Sequence, residues 1–260
     1  MSLMEFNITH WHAISPGLNT IGEWQSWFNG TVPETAKVPA QSIPPMMRRR
    51  MSDLSKIALQ TAITLKQHHS SDFDYLIFSS RHGELPRTVD ILQQVLQGEE
   101  ASPMAFSQSV HNTCSGLFTI ATQSPIPATS LAGCESSLHS AFIEAYSYLT
   151  ENPDHSVLVI DFDAPLPTPY ENSDPSPTPP LYALGLVLTS GSQYQLSYQA
   201  KPSVKGKIDR HNQTLEIIEH MINNQNCWQV EDSRHIWSWQ CSQSTQPQNA
   251  FIERIDGDGK

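Results

Sequence analysis

Two hundred and sixty residues are enough for one large domain with a buried core, or for such a domain with a small extension, and too well stocked with apolar side chains for a disordered tail. Charged residues make up 16%, and 26 acidic residues against 15 Lys and Arg leave a formal net charge of −11, a field that repels phosphate backbones and anionic lipid and argues against nucleic acid or a membrane surface as partner. No apolar run reaches the roughly 18 residues of a membrane-spanning helix, and Met1 to Ile14 lacks the basic start and apolar stretch of a secretory signal, so no membrane insertion and a cytoplasmic location are expected.

In chain order, Leu54, Ile57, Ala58, Thr61, Ala62 and Leu65 recur at helical spacing after Ser52, a good capping residue, and predict a helix of about four turns. Phe73 to Ser79 predicts a strand ending in Ser80-Arg81-His82-Gly83-Glu84, after which Pro86 can open a helix carrying Val89, Leu92, Val95 and Leu96. A further helical pattern runs through Val110, Leu117, Phe118 and Ala121. Ala128 to Gly133 then reads as a short buried strand turning directly into a helix with Leu138, Ala141, Phe142, Ala145 and Leu149 on one face. Val157 to Phe162 reads as a continuous apolar run of the kind found in mid-sheet. Strands alternating with helices predict an α/β layered fold with a largely parallel sheet.

Seven prolines between Ala164 and Pro180 predict an extended surface loop. Leu181 to Thr189 and Tyr194 to Tyr198, joined through Ser190-Gly191-Ser192, predict a two-stranded antiparallel hairpin. The chain is expected to divide at residue 200, with 201–260 a small C-terminal appendage holding an amphipathic helix through Leu215, Ile218 and Ile222 and a strand over His235 to Cys241. The four cysteines, Cys114, Cys134, Cys227 and Cys241, are expected to be free thiols. None lies in a Cys-x-x-Cys pair and His68-His69 has no partners of ligand type nearby, so neither a metal nor another cofactor is expected.

The strand ending at Gly133 delivers Cys134-Glu135 to the first turn of a helix, where free N–H groups and the helix dipole favour negative charge. On the residues alone, Cys134 is a candidate acyl-carrying thiol, and also a candidate small buried residue at a tight turn.

Phe106-Ser107-Gln108-Ser109-Val110-His111-Asn112, Gly116 and Ile120, Pro127-Ala128-Thr129, the Ala132 to Glu135 turn and Glu144-Ala145, taken in order, resemble the first half of a β-ketoacyl synthase. More narrowly, Ser80-Arg81-His82-Gly83-Glu84 with Arg87-Thr88, and Arg48-Arg49-Arg50-Met51-Ser52 with Leu54-Ser55, are similar to the β-ketoacyl-synthase-like chains of aryl-polyene and related type II synthases. The resemblance covers about residues 1–200 and implies a thiolase-like α/β fold, half of a ketosynthase. It places the family's nucleophile position at Glu135, with Cys134 one residue earlier, and a shift of one residue would restore Cys134. It also asks for two histidines beside glycines, whereas His139, His155, His211, His220 and His235 have none beside them.

The resemblance therefore implies a chain-length-factor subunit without condensing activity of its own. Its partner would be a complete ketosynthase, in a heterodimer or a dimer of heterodimers, with an acyl carrier protein docking transiently. Phe106, Val110, His111, Cys114 and Phe118 are the expected tunnel or interface residues, with His111 more a hydrogen-bonded structural residue than an acid or base. Arg81, His82 and Glu84 are the expected loop contacts. The competing expectations are an acyltransferase or thioesterase using Cys134 with His139 or His111 as base, and a carrier-protein-binding scaffold.

Overall fold

The computed structural model describes residues 3–34, 36–171, 180–201, 212–242 and 250–252. Its elements are β1 (Leu3–Ile14), α1 (Ile21–Phe28), α2 (Pro45–Arg48), α3 (Asp53–His68), β2 (Tyr75–Ser79), α4 (Leu85–Leu96), α5 (Pro103–Ser107), α6 (Thr113–Thr122), β3 (Ala128–Leu131), α7 (Ser137–Glu151), β4 (Ser156–Asp163), β5 (Tyr182–Ala200), α8 (Gln213–Ile222), β6 (Cys227–Glu231) and β7 (His235–Cys241), with a 3₁₀ turn at Cys134–Ser136 leading into α7. The seven strands form one sheet in the order β3-β2-β4-β5-β7-β6, with β1 also paired to β5.

The parallel pairings are β3 with β2 and β2 with β4; β4–β5, β1–β5, β5–β7 and β6–β7 are antiparallel. Both faces of the centre are covered. Along β4, Val157 and Val159 enter the core cluster shared with α7 and α8, while Leu158, Ile160 and Phe162 enter the one shared with α3 and α6. The period of two, apolar on both sides, is what a strand between two helical layers requires. As the capping pattern predicts, the Ser52 hydroxyl accepts from the Ser55 N–H at the start of α3.

Several expectations are corrected. The Leu181–Thr189 and Tyr194–Tyr198 segments do not form a hairpin: they are the two halves of β5, and both pair antiparallel with β1. Between Phe6↔Tyr194 and Asn7↔Thr189 the register shifts, so residues 190–193 bulge outward. The Asn7 side chain holds the bulge, donating to the Ser190 carbonyl at 3.2 Å and accepting from the Gln193 N–H at 3.1 Å. Among the described residues β3 is an edge strand paired only with β2, so its residues are exposed or half-buried rather than buried. Val110 precedes α6 instead of lying on it.

Of the proline-rich loop, Ala164 to Glu171 carries no helix or strand, and residues 172–179 lie outside the described residues. The described part of 201–260 supplies the expected α8 and β7, and also β6. These are not set apart: β7 extends the sheet beside β5, and Ile218, Met221, Trp228, Trp237 and Trp239 share a core with Phe6 and Phe142.

Candidate functional site

The carboxyl ends of β3, β2 and β4 converge, where open α/β sheets place their ligand-contacting loops. Ser79 at the end of β2 and Ser80 just beyond it point at two acids from the end of β4. Asp161 is fully buried and accepts from Ser79 Oγ at 2.6 Å, Thr214 Oγ1 at 2.6 Å and Tyr182 OH at 3.3 Å. Burial, and then the neighbouring Asp163 charge, push its carboxyl up to about 7 against those three donors. Asp163 accepts from Ser80 Oγ at 2.8 Å and from the N–H groups of Arg81 at 2.9 Å and His82 at 3.2 Å, and burial raises its pKa as well. Asp161 had been hidden inside the run read as continuously apolar; an acid two residues before another at a buried strand's carboxyl end was the available signal.

The Ser80–Glu84 loop is thereby fixed from inside. Gly83 adopts φ +54°, and the His111 ring packs so closely on it that an added Cβ would lie 3.0 Å from the ring. His111 donates from Nε2 to the Ser80 carbonyl at 3.0 Å. Glu84 turns inward, accepting from the hydroxyls of Ser52 at 2.6 Å and of Ser55, with Arg87 Nε 3.6 Å away. As folded, the outer face of this loop is therefore left to Arg81 and His82.

After β3 the chain turns sharply. Gly133 is needed for the close approach of α7, since a Cβ there would sit 2.3 Å from Ser140 Oγ. Cys134 follows with φ +55°, a conformation uncommon outside glycine, and it is exposed. Glu135 points to the β6–β7 turn, where Oε2 accepts from the Ser233 N–H at 2.8 Å. Ser136 donates to Asp232, which also accepts from Trp237 Nε1–H at 3.0 Å and from the N–H groups of Arg234 and His235. Burial pushes Asp232 up, but these donors outweigh it and hold its carboxyl at about 2. The Gly133–Ser136 turn is thus clamped to the C-terminal hairpin by two acids.

His139, offered as a base for Cys134, is committed elsewhere. It is buried, donates from Nδ1 to Gln213 Oε1 at 2.8 Å, accepts at Nε2 from Trp239 Nε1–H at 3.1 Å, and stacks on Trp237 at 4.3 Å. Burial lowers its pKa to about 4. A small cleft of about 40 Å³ opens between the three loops, lined by Arg81, Cys134 and five acids, Glu135, Asp161, Asp163, Glu231 and Asp232, among other residues.

The expected tunnel residues divide. Phe118 is 0% exposed, 6.0 Å from the Phe78 ring, and Cys114 is buried with Sγ 3.6 Å from Ser55 Oγ. Burial, with the Glu84 charge, raises the Cys114 pKa. Both belong to this chain's own core. Phe106, 64% exposed, and Val110, 43% exposed, face outward. Among the described residues no group of three or more His, Cys, Asp and Glu could hold a metal ion, and no helix is long and apolar enough to cross a membrane.

A helix-covered sheet of this order, with a strained residue at a sharp turn after its edge strand, defines a thiolase-like α/β fold. The family described as beta-ketoacyl synthase, N-terminal domain, matches residues 24–240, and the chain belongs to it. The match crosses the boundary expected at residue 200. One chain of the complex of the ketosynthase ApeO with its chain length factor ApeC from Xenorhabdus doucetiae is 29% identical, with a TM-score of 0.78, over 91% of this chain and 99% of that one. The ishigamide ketosynthase/chain length factor shares 15% identity over 78% of this chain and 68% of its own, with a TM-score of 0.59. One chain of the AntDE:AntF complex, a type II PKS acyl-carrier protein with its ketosynthase, gives 13%, 86%, 76% and 0.55. At these two identities the likeness concerns the fold. No curated protein matches the chain.

Proposed function

We propose that this chain is the non-catalytic, chain-length-factor-like partner of a separate ketosynthase in a type II synthase of the aryl-polyene kind. The likeness to nearly the whole of one chain from a ketosynthase–chain length factor complex carries this reading. The chemistry of the cleft supports it. A condensing site needs donors aimed at developing negative charge, whereas this cleft presents five carboxyls, and both ring nitrogens of His139 are engaged. The surface supports it too. Among the described residues β3 has a free edge, α6 packs against β3, and Ile120, Phe106 and Val110 project outward nearby in sequence.

In this reading β3 and the 106–120 segment meet the ketosynthase. Phe106 and Val110 reach its acyl tunnel, while His111, Cys114 and Phe118 hold that wall from behind. The carrier protein docks transiently across the Arg81–His82 loop. Co-expression with the neighbouring ketosynthase tests this: a stoichiometric, soluble complex is expected, and the chain alone should be unstable or aggregate. A free chain that is monodisperse and cooperatively folded, and never co-purifies with the ketosynthase, refutes the reading.

One observation favours a second reading. Cys134 is exposed, with φ +55°, and strain of this kind gathers at functional turns. Under that reading its thiolate takes the acyl group of an acyl thioester, breaking the donor's C–S bond and releasing the donor's thiol, and incubation with an acyl thioester followed by intact-mass spectrometry would show the adduct.

A further inference from the structure

The charge of this acidic chain is unevenly distributed. Residues 37–56 hold five of its 15 Lys and Arg, Lys37, Arg48, Arg49, Arg50 and Lys56, against one of its 26 acids, Asp53. Four of the five line one concave pocket of about 590 Å³ between the 36–40 loop, α2 and the first turn of α3. Its volume is in the range of a small-molecule site, and its mouth is wide open to solvent. The pocket's one acid, Asp53, is already paired with Lys56 Nζ at 2.8 Å. Among the described residues, Lys37, Arg48 and Arg49 have no carboxylate within ion-pair distance.

Arg48 is half-buried, and its guanidinium is held by the Ala40 carbonyl at 3.3 Å, so it is oriented before any ligand arrives. Ala36, Val38, Ala40 and Pro45 supply an apolar lining beside the cations. Crowded, unpaired like charges repel one another, and a bound anion relieves that repulsion. Arginine's planar fork suits phosphate oxygens in particular.

We propose that this pocket binds a phosphate ester of a small, partly apolar molecule, with the phosphoryl group between Lys37, Arg48 and Arg49 and the organic part against Val38 and Pro45. No residue of β3 or of the Gly133–Ser136 turn lines the pocket, and the assignment does not rest on the proposed ketosynthase partnership.

The test titrates phenyl phosphate, inorganic phosphate, phenol and a polyglutamate peptide separately into the full chain, co-purified with its ketosynthase if solubility requires it, with heat and thermal shift as readouts. Phenyl phosphate should bind saturably and more tightly than inorganic phosphate, phenol should not bind, and binding should weaken as salt rises. The R48Q/R49Q double variant should weaken phenyl phosphate binding at least tenfold. K37Q, which leaves α2 untouched, should weaken it several-fold, and K66Q, on the far end of α3, should leave it unchanged. Absence of saturable binding by the unaltered protein overturns the proposal. So does equal binding by K37Q and the double variant when both melt normally, and so does binding of polyglutamate alone, which would mark the patch as a docking face for an acidic protein.

Discussion

Replacing Asp161 with asparagine should stabilise the protein at alkaline pH and leave it little changed near pH 4. The folded-state carboxyl is raised to about 7 from 3.8, first by burial and then by Asp163. The folded chain therefore holds this proton more tightly than the unfolded chain. Its contribution is favourable below about pH 4, declines as pH climbs to about 7, and is flat beyond. A rise of about three units corresponds to about 4 kcal/mol, an order-of-magnitude figure. An amide keeps an oxygen for the Ser79 hydroxyl, and the hydroxyls of Thr214 and Tyr182 can rotate to accept from its NH₂.

His139 runs the other way. With its pKa lowered to about 4 by burial, it costs stability as pH falls from about 6.5 to 4, so the two slopes nearly cancel in the unaltered protein. Asp232, held at about 2, acts only below that window. The informative quantity is therefore the difference in melting temperature between D161N and the unaltered protein from pH 4.5 to 8.5, at fixed protein concentration. It should grow with pH to about 8 to 16 °C at the full value. A difference that is constant across the range, or that shrinks as pH rises, would mean that Asp161 is ionised at no cost and that the argument from burial fails.

Other consequences can be read beside that one. Phe118→Ala should cost about 3–5 kcal/mol of stability, as for a phenylalanine in a closed core, with no change in product length once the complex is assembled. Phe106→Ala should leave melting unchanged and shift products longer by one or more extension units, read by product mass spectra; unchanged length with the complex intact would leave the chain a scaffold. Cys134→Ala should leave product formation by the reconstituted complex within a few-fold, and a large loss would favour the thioester reading. Asp232→Asn should loosen the turn at Cys134, raising its alkylation rate and lowering the melting point; an unchanged rate would show that the hairpin does not hold the turn.

What could be read from the sequence was whatever repeats locally. The α3, α7 and α8 patterns and the buried β2 and β4 carry their periods in five to sixteen residues, so their positions were legible. β1 was missed although Met4, Phe6 and Ile8 alternate inward, because its second half, from Trp11 to Ile14, is buried at every position and breaks the pattern. β5 was misread because Ser190-Gly191-Ser192 has hairpin chemistry, and only the pairing of both flanks with β1 reveals a bulge. Phe118 and Phe106 look alike as aromatic residues in one segment. Which of them is core depends on α6 packing under Phe78, a contact forty residues away in the chain.

The same dependence on distant residues governs the candidate site. Cys134 and Glu135 are adjacent, and the sequence alone cannot say which of them faces the cleft in the nucleophile's manner. The fold separates them by tying Glu135 to Ser233 and Ser136 to Asp232, nearly a hundred residues on, and that pull leaves Cys134 at the strained, exposed corner. These two bonds fasten the turn from the C-terminal hairpin. The donors around it, Ser79, Ser80, Thr214, Tyr182 and the N–H groups of Arg81 and His82, are already taken by Asp161 and Asp163. A substrate oxyanion in the cleft would have to compete with those carboxylates for every one of those donors. The proposal of a non-catalytic partner therefore rests less on a missing cysteine than on where the hydrogen bonds point: inward, to hold the loops that a neighbouring subunit would read.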